Sequence, residues 1–307
     1  DSVTIQIKKG EVYALLGENG AGKSTLMSML FGMYEPDEGE IYVRGKKEKI
    51  SSPNYATQLN IGMVHQHFKL VSNYTIAENI IMGVEPKKKF LGLFPYVDIK
   101  TSNEKIAELS KQYGLEVDPT KMIQDINVST QQRVEILKML YREAEILIFD
   151  EPTAVLTPQE IDELMEIMRG FAKEGKSILF ITHKLNEIMS VADRCTVLRK
   201  GKYIGTVDIK DTSKEELSRM MVGRDVNFVV EKEEKKPGEV ILSVDHVSVA
   251  AKEGKKKVIN DVSFDVRAGE IVCLAGIDGN GQSELVELIV GTLKQSAGQI
   301  CLKAHQW

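Results

Sequence analysis

The sequence predicts an α/β fold in which a parallel sheet feeds a phosphate-binding loop, followed by a partial second copy of the same unit. Three observations carry that reading. Gly17-Glu-Asn-Gly-Ala-Gly-Lys23-Ser24-Thr25 fits G-x-x-x-x-G-K-[ST] directly after an apolar run. Short apolar runs, Ile146-Leu-Ile-Phe149 and Ile178-Leu-Phe-Ile181 among them, alternate with helical segments, as a parallel sheet with crossover helices requires. The stretch from Val3 to Ile41 aligns without a gap to Val262 to Ile300, with identities that include Gly10/Gly269, Glu11/Glu270, Gly17/Gly276, Gly22/Gly281, Ser24/Ser283 and Gly32/Gly291.

Taken in order, Ile5-Gln-Ile7 and Val12-Tyr-Ala-Leu-Leu16 read as strands, and Lys23 to Gly32 as the helix behind the loop. Strand patterns return at Glu40 to Val43 and Ile61 to Val64. A helix-rich stretch runs from about Thr75 to Arg142, with Lys87-Lys-Lys89 read as a solvated loop inside it. A helix over 158–174 then separates the two apolar strands. Residues 224–239, with Glu231-Lys-Glu-Glu-Lys-Lys236 and Pro237-Gly238, read as a charged linker. The run from Val240 to Val249 reads as a strand opening the second unit. Its counterpart in the first unit would precede residue 1, and Trp307 falls shortly after the repeat, so the expectation is a fragment. It would hold a first domain at 1–223, the linker, and the start of a second domain at 240–307.

The chain has 307 residues, a net charge of -5 and 28% charged residues, the balance of a globular protein without a basic nucleic-acid surface. Cys195, Cys273 and Cys301 are neither paired nor at metal-ligand spacing, and read as buried free thiols of a reducing compartment. No apolar run is long enough to span a bilayer and no signal peptide is evident, so the expected location is cytoplasmic. His65 and His67 flank Gln66 at strand spacing, but with no third ligand a metal pair is disfavoured.

The chemistry sits in a few short motifs. In the first loop, glycines let backbone N–H groups surround a phosphate and the following helix adds its positive end. Gly17, Asn19, Gly20, Gly22, Lys23, Ser24 and Thr25 are the candidate nucleotide-binding residues, with Lys23 for the β- and γ-phosphates and the Ser24 hydroxyl for Mg²⁺. Asp150 closes an apolar strand, which places a carboxylate beside that metal, and Glu151 follows it to polarise a water.

With these motifs the sequence resembles the ATP-binding subunits of ABC transporters, most like the double-domain type that imports simple sugars and nucleosides. The resemblance covers residues 1–300. It implies a P-loop NTPase with a RecA-like parallel-sheet core, an antiparallel β subdomain and a helical subdomain, the second ABC domain being truncated. It also implies roles: Gln66 in Gly62-Met-Val-His-Gln66 as the glutamine near Mg²⁺ and water, and His183 in Ile181-Thr-His183 as the switch histidine at the γ-phosphate. Asp150-Glu-Pro-Thr-Ala-Val-Leu-Thr-Pro158 resembles the Walker B segment and D-loop of nucleoside-type importers, and Thr75-Ile-Ala-Glu-Asn-Ile80 the start of the helical subdomain.

Two places depart from the pattern. The family signature serine and glycine are here Asn127 and Ser129, in Ile126-Asn-Val-Ser-Thr-Gln131-Gln-Arg133. Asn127 still suits a helix N-cap, whereas a Cβ at Ser129 would hinder backbone approach to a phosphate. Asn127, Ser129 and Gln131 are therefore candidate nucleotide contacts at an altered signature. Asn127-Val-Ser129 also spells a glycosylation sequon, dismissed for a cytoplasmic chain. In the second loop Gln282 replaces the lysine and Glu284 adds a carboxylate, which weakens anion binding there. The position for an aromatic to stack on adenine, near Val249, is not aromatic.

The resemblance implies an ATP hydrolase using ATP and Mg²⁺, working with permease subunits, a substrate-binding lipoprotein and its own second ABC domain at the inner face of the plasma membrane. Nucleosides are the expected cargo, with simple sugars as the alternative. A soluble tandem ABC protein acting on ribosomes and a non-hydrolytic regulatory module are less favoured, and little turnover is expected of this chain by itself.

Overall fold

The computed structural model describes residues 3–66, 68–90, 94–154, 156–224, 236–249, 259–276, 280–302 and 305–306. His67, Val155, Gly279, Trp307 and most of the linker lie outside them. The chain divides into two compact units, Asp1–Asn227 and Phe228–Trp307.

In chain order the first unit comprises β1 (Val12–Leu16), α1 (Lys23–Leu30), β2 (Ile41–Val43), β3 (Lys46–Glu48), α2 (Pro53–Gln58), β4 (Ile61–Val64), α3 (Ile76–Ile81), β5 (Lys87–Phe90), β6 (Phe94–Val97) and α4 (Ile99–Gln112). It continues through α5 (Val128–Tyr141), β7 (Ile146–Asp150), α6 (Pro158–Lys173), β8 (Ser177–Thr182), α7 (Leu185–Val191), β9 (Arg194–Arg199), β10 (Lys202–Asp208) and α8 (Lys214–Val222). A six-stranded sheet runs in the order β10-β9-β1-β8-β7-β4, parallel except for the antiparallel edge strand β10.

Apolar runs such as Ile146–Phe149 become central strands because both of their faces are covered. Leu147, Phe149, Ile178 and Phe180 pack with α3, α5 and α6 on one side of the sheet. Ile148, Leu179, Ile181, Tyr13 and Leu15 pack with Met27 of α1 on the other. Each large side chain so buried stabilises the unit by about 1.5–3 kcal/mol. A third cluster places Ala14, Leu16, Cys195 and Val197 against Ile188 and Leu217 of α7 and α8.

Caps set the helix starts. Thr157 and Glu160 form a capping box around Pro158 at the first turn of α6, and Leu164, Met165, Met168 and Phe171 then line its buried face. Thr75 and Glu78 form the same device at α3. Asn127 caps α5, its Oδ1 accepting from the Thr130 amide at 2.8 Å, as the sequence suggested it could.

Three expectations are revised. Val3 to Lys8 forms no ladder, since no neighbouring strand flanks it among the described residues, although its burial alternates and Ile5 and Ile7 pack on the core. Lys87 to Lys89 lie in β5, which pairs antiparallel with β6, rather than in a loop, because the stretch finds a hydrogen-bonding neighbour in residues 94–97. Of the three cysteines only Cys195 is buried, its thiol pushed up to about 12 by desolvation; Cys301 is half-buried and Cys273 exposed.

The second unit contains β11 (Val240–Val249), β12 (Ile259–Arg267), α9 (Gln282–Ile289), β13 (Ala297–Leu302) and β14 (His305–Gln306), with sheet order β12-β11-β13-β14, all antiparallel. Val244, Val247, Leu285, Leu288 and Ile300 form its core. The repeat is visible in the backbone: Gly22 and Gly281 sit at φ 92° and 95° with the same ψ of 9°. Glu11 accepts from the Lys8 amide as Glu270 accepts from that of Arg267. The copies part at the strand before the loop. β1 is fully buried between β8 and β9, whereas Ile271 is 89% exposed and the 271–276 run is not a strand. Among the described residues no strand flanks it.

No helix among the described residues is long and apolar enough to cross a membrane.

Candidate phosphate-binding site

The expected site residues of the first unit emerge from the C-terminal ends of adjacent parallel strands, where open α/β sheets place their ligands. The loop 17–22 follows β1; Asp150 ends β7 and Glu151 follows it; His183 comes directly after β8, and Gln66 lies two residues past β4. Strand register aligns these ends, pairing Leu16 with Thr182, Asp150 with Ile181, and Val64 with Phe149.

The loop is shaped by close approach. A Cβ on Gly17 would lie 2.5 Å from the Leu198 carbonyl oxygen and 2.9 Å from Ala21 Cβ, so no side chain fits between the loop and β9. The Gly201 amide donates to the Ala21 carbonyl at 3.2 Å and ties the loop to the β9–β10 turn. Gly22, in the left-handed region, opens α1 without any side-chain cap. Among the described residues no side chain caps the first amides of α1, which carry the positive end of the helix, the setting in which an anion is held. Asn19 and Gly20 are exposed along the loop rim, as are Ser24 and Thr25 on the first turn of α1.

Lys23 is buried, 5% exposed, and folds back so that Nζ donates to the carbonyls of Gly17 at 2.7 Å and Glu18 at 3.1 Å. Desolvation lowers its pKa, opposed by the nearby Glu151 and Asp150; the Glu151 carboxylate stands 3.9 Å away. The Asp150 carboxyl is pushed above its usual range by burial, with Glu151 adding to the rise and the Ser24 hydroxyl, which donates to Oδ1 at 3.3 Å, opposing it. Ser24 and Asp150 thus bring two hard oxygen donors together, the donor chemistry that suits Mg²⁺.

Glu151 adopts φ 47°, rare for a side chain of its size, with its amide donating to the Ile181 carbonyl at 3.0 Å. That turn sets its carboxylate 3.2 Å from His183 Nδ1. Lys23, Ser24, Asp150, Glu151 and His183 therefore form one connected group. Gln66 is exposed two residues past the end of β4.

Asn127, Ser129 and Gln131 stand apart from this group, at the start of α5. Gln131 Nε2 donates to the Ile126 carbonyl at 3.3 Å, and the Glu160 carboxyl of α6 is held below its usual range by the Thr157 amide first and the nearby Ser129 hydroxyl next. In the second unit the Gln282 amide packs onto Gly276, inside its own loop.

Sequence reasoning missed the residues that hold the Glu151 turn. Lys184 Nζ donates to Thr153 at both its carbonyl, 3.0 Å, and its hydroxyl, 3.2 Å; Gln132 Nε2 donates to the Pro152 carbonyl at 2.8 Å. Both sit next to motif residues, which was the available signal. The T-x-x-E spacing at Thr75 and Thr157 likewise announced the two capping boxes.

Comparison with known proteins decides the family. The ABC transporter family matches residues 1–154 and 259–307, both copies of the repeat. The chain belongs to the ABC transporter family. Among its relatives are the nucleoside import ATP-binding protein NupA of Lactococcus lactis subsp. cremoris, 57% identical over 302 residues, and the guanosine import ATP-binding protein NupO of Bacillus subtilis, 56% identical over 306. The chain's matched residues make up 98% and 100% of it but 58% and 59% of those relatives, so this ABC transporter chain spans little more than half their length. The glucose import ATP-binding protein TsgD13 of Haloferax volcanii is 43% identical, over 98% of this chain and 58% of its own. Among solved structures, the ADP conformation of MJ1267, an ATP-binding cassette of an ABC transporter, shares the fold with a TM-score of 0.62 at 23% identity, covering 72% of this chain and 91% of that one. The cbiO1 structure from Clostridium perfringens gives 0.58 at 27% identity, covering 72% and 86%.

Proposed function

We propose that the protein to which this chain belongs is the ATP-hydrolysing subunit of an ABC importer for nucleosides. The observation that carries the catalytic part is the connected group around Lys23. The cradle of Gly17 to Thr25 suits a polyphosphate, and the buried Lys23 ammonium, now held by two carbonyls, gains more from phosphate oxygens than from neutral partners. Ser24 and Asp150 would hold Mg²⁺ with Gln66 nearby, and the metal would neutralise phosphate charge. Glu151 holds the attacking water and accepts its proton. His183, engaged by Glu151 through Nδ1, keeps its other ring nitrogen for a terminal phosphate oxygen. The altered Asn127, Ser129 and Gln131 segment serves as a second, weaker contact to nucleotide.

Nucleosides are favoured over sugars because the nucleoside and guanosine import relatives are 56–57% identical and the glucose import relative 43%. On this reading the partners are transmembrane permease subunits, a substrate-binding lipoprotein reached through them, and the remainder of a second ABC domain. The protein then sits peripherally at the inner face of the plasma membrane.

Titrating a fluorescent ATP analogue with Mg²⁺ into the chain and its Lys23→Ala and Glu151→Gln variants tests the site. The expected result is at least a tenfold loss of affinity in Lys23→Ala and near-native affinity in Glu151→Gln, whose hydrolysis in the full-length protein is lost. Unchanged affinity in Lys23→Ala refutes the assignment. Stimulation of ATPase by guanosine, and not by ribose or galactose, in the reconstituted complex tests the cargo.

A further inference from the structure

We propose that Gln132 is a positioning residue for Glu151, acting through the turn that follows it; the inference rests on the reading of Glu151 as the residue that activates water. Glu151 lies in the left-handed region at φ 47°, a conformation a glutamate keeps only when its surroundings impose it. Three successive residues of that turn are each held by a different element. The Glu151 amide donates to Ile181 of β8, the Pro152 carbonyl accepts from Gln132 of α5, and the Thr153 carbonyl accepts from Lys184 at the start of α7.

Of these three ties the one from Gln132 is a side-chain bond sealed from water. Gln132 is 2% exposed, Pro152 is buried, and the bond is 2.8 Å long. The other end of the same amide, Oε1, is buried with no hydrogen-bond partner among the described residues. A buried acceptor left unpaired is destabilising, so an apolar side chain of this shape would serve stability better. Glutamine is the costlier choice, and what it supplies in return is one donor aimed at the backbone just after Glu151.

The rest of the helix start points the same way. Arg133 of the same helix reaches Glu163 at 3.2 Å, so α5 meets both the turn and the start of α6. Of these α5 contacts, the one from Gln132 lies closest to the Glu151 carboxylate. Loss of that grip lets the turn relax toward ordinary φ and moves Glu151 away from His183 and Lys23, while the phosphate cradle on β1 and α1 is untouched.

The test uses the full-length protein. Gln132→Met keeps length and shape and removes both the donor and the unpaired acceptor. The expected result is a kcat about 10- to 100-fold lower, as displacement of a reacting group by an ångström produces, with KM for ATP within twofold and a melting temperature no lower than native. A merely structural role would lower the melting temperature and leave kcat of the folded fraction unchanged, and that result overturns the proposal. Gln132→Glu decides independently should the methionine variant fold poorly. A buried carboxyl donates to Pro152 only when protonated, so its turnover rises relative to native as pH falls from 8 to 6, and a flat ratio overturns the proposal. Glu151→Gln runs in parallel. If it abolishes turnover while Gln132→Met leaves it intact, Gln132 is not a positioning residue; if neither variant affects turnover, the reading of Glu151 falls and the proposal with it.

Discussion

Gly17→Ala is the sharpest probe of the phosphate cradle, because a single added carbon has nowhere to go. The new Cβ would meet the Leu198 carbonyl oxygen at 2.5 Å and Ala21 Cβ at 2.9 Å. Neither can yield as a flexible side-chain tip would. Leu198 lies in β9, which pairs with β1 on one side and β10 on the other, and Ala21 sits in the loop pinned to Gly201. Overpacking of this kind costs about 1–3 kcal/mol. At about 2–4 °C per kcal/mol for a unit of this size, the melting temperature should fall by roughly 2–12 °C. The loop must lift from β9 by several tenths of an ångström, which disturbs the amides that would face phosphate, so nucleotide affinity should fall at least tenfold.

The contrast is Gly20, where a Cβ meets nothing within 4 Å but φ is +79°. There the obstacle is backbone conformation, worth about 1–2 kcal/mol for alanine and less for asparagine, which tolerates the left-handed region. Gly20→Asn should therefore stay within a few degrees of native and keep binding. Differential scanning calorimetry together with nucleotide titration of the chain reads both effects. A Gly17→Ala variant with native melting temperature and native affinity would refute the argument, since it would mean that β9 does not confine the loop.

Two further outcomes follow from the first unit. Asn127→Ala removes the cap of α5 and should cost about 1 kcal/mol, with Asn127→Ser near neutral; urea denaturation of the chain measures both. His65 is held neutral, its pKa lowered to about 4 by burial first and then by Lys69 and Lys138. Its folded value lies below its ordinary 6.5, so the stability it protects is complete above pH 6.5 and is lost as pH falls toward 4. Between pH 7 and pH 5 the melting temperature should drop less in His65→Gln than in the native chain.

The parts legible in the sequence were those whose cause is local. Apolar runs flanked by helical periods gave β4, β7 and β8 close to their observed ends, and the glycine pattern placed the loop and α1. Asp150 and Glu151 could be picked out because they close an apolar strand behind the loop, and His183 because its segment resembles the family's switch-histidine motif. Other features were not legible because they depend on what lies alongside. The 5–7 run has the pattern of a strand and the alternating burial of one, but a strand also needs a hydrogen-bonding neighbour. The pairing of β5 with β6 brings residues 87–90 and 94–97 into register, which no short-range turn signal announced. Gln132 and Lys184 escaped notice because their task is to hold backbone, and a glutamine or lysine on a helix is ordinarily solvated.

The two copies of the loop separate what a motif specifies from what the fold must add. In both, a glycine at φ 92–95° opens an eight-residue helix with no side-chain cap, so the local chain reads the same instruction twice. In the first copy that instruction is completed from elsewhere. β8 and β9 bury β1, the Leu198 carbonyl leaves no room over Gly17, and β7 brings Asp150 to Ser24. In the second, none of these neighbours is present among the described residues; the 271–276 run before the loop is exposed, and the Gln282 amide settles onto Gly276. An eight-residue pattern therefore supplies the helix end that can hold a phosphate. The two carboxylates that stand beside that loop, Asp150 and Glu151, come from the end of one strand more than 120 residues away in the chain, and only the finished sheet delivers them.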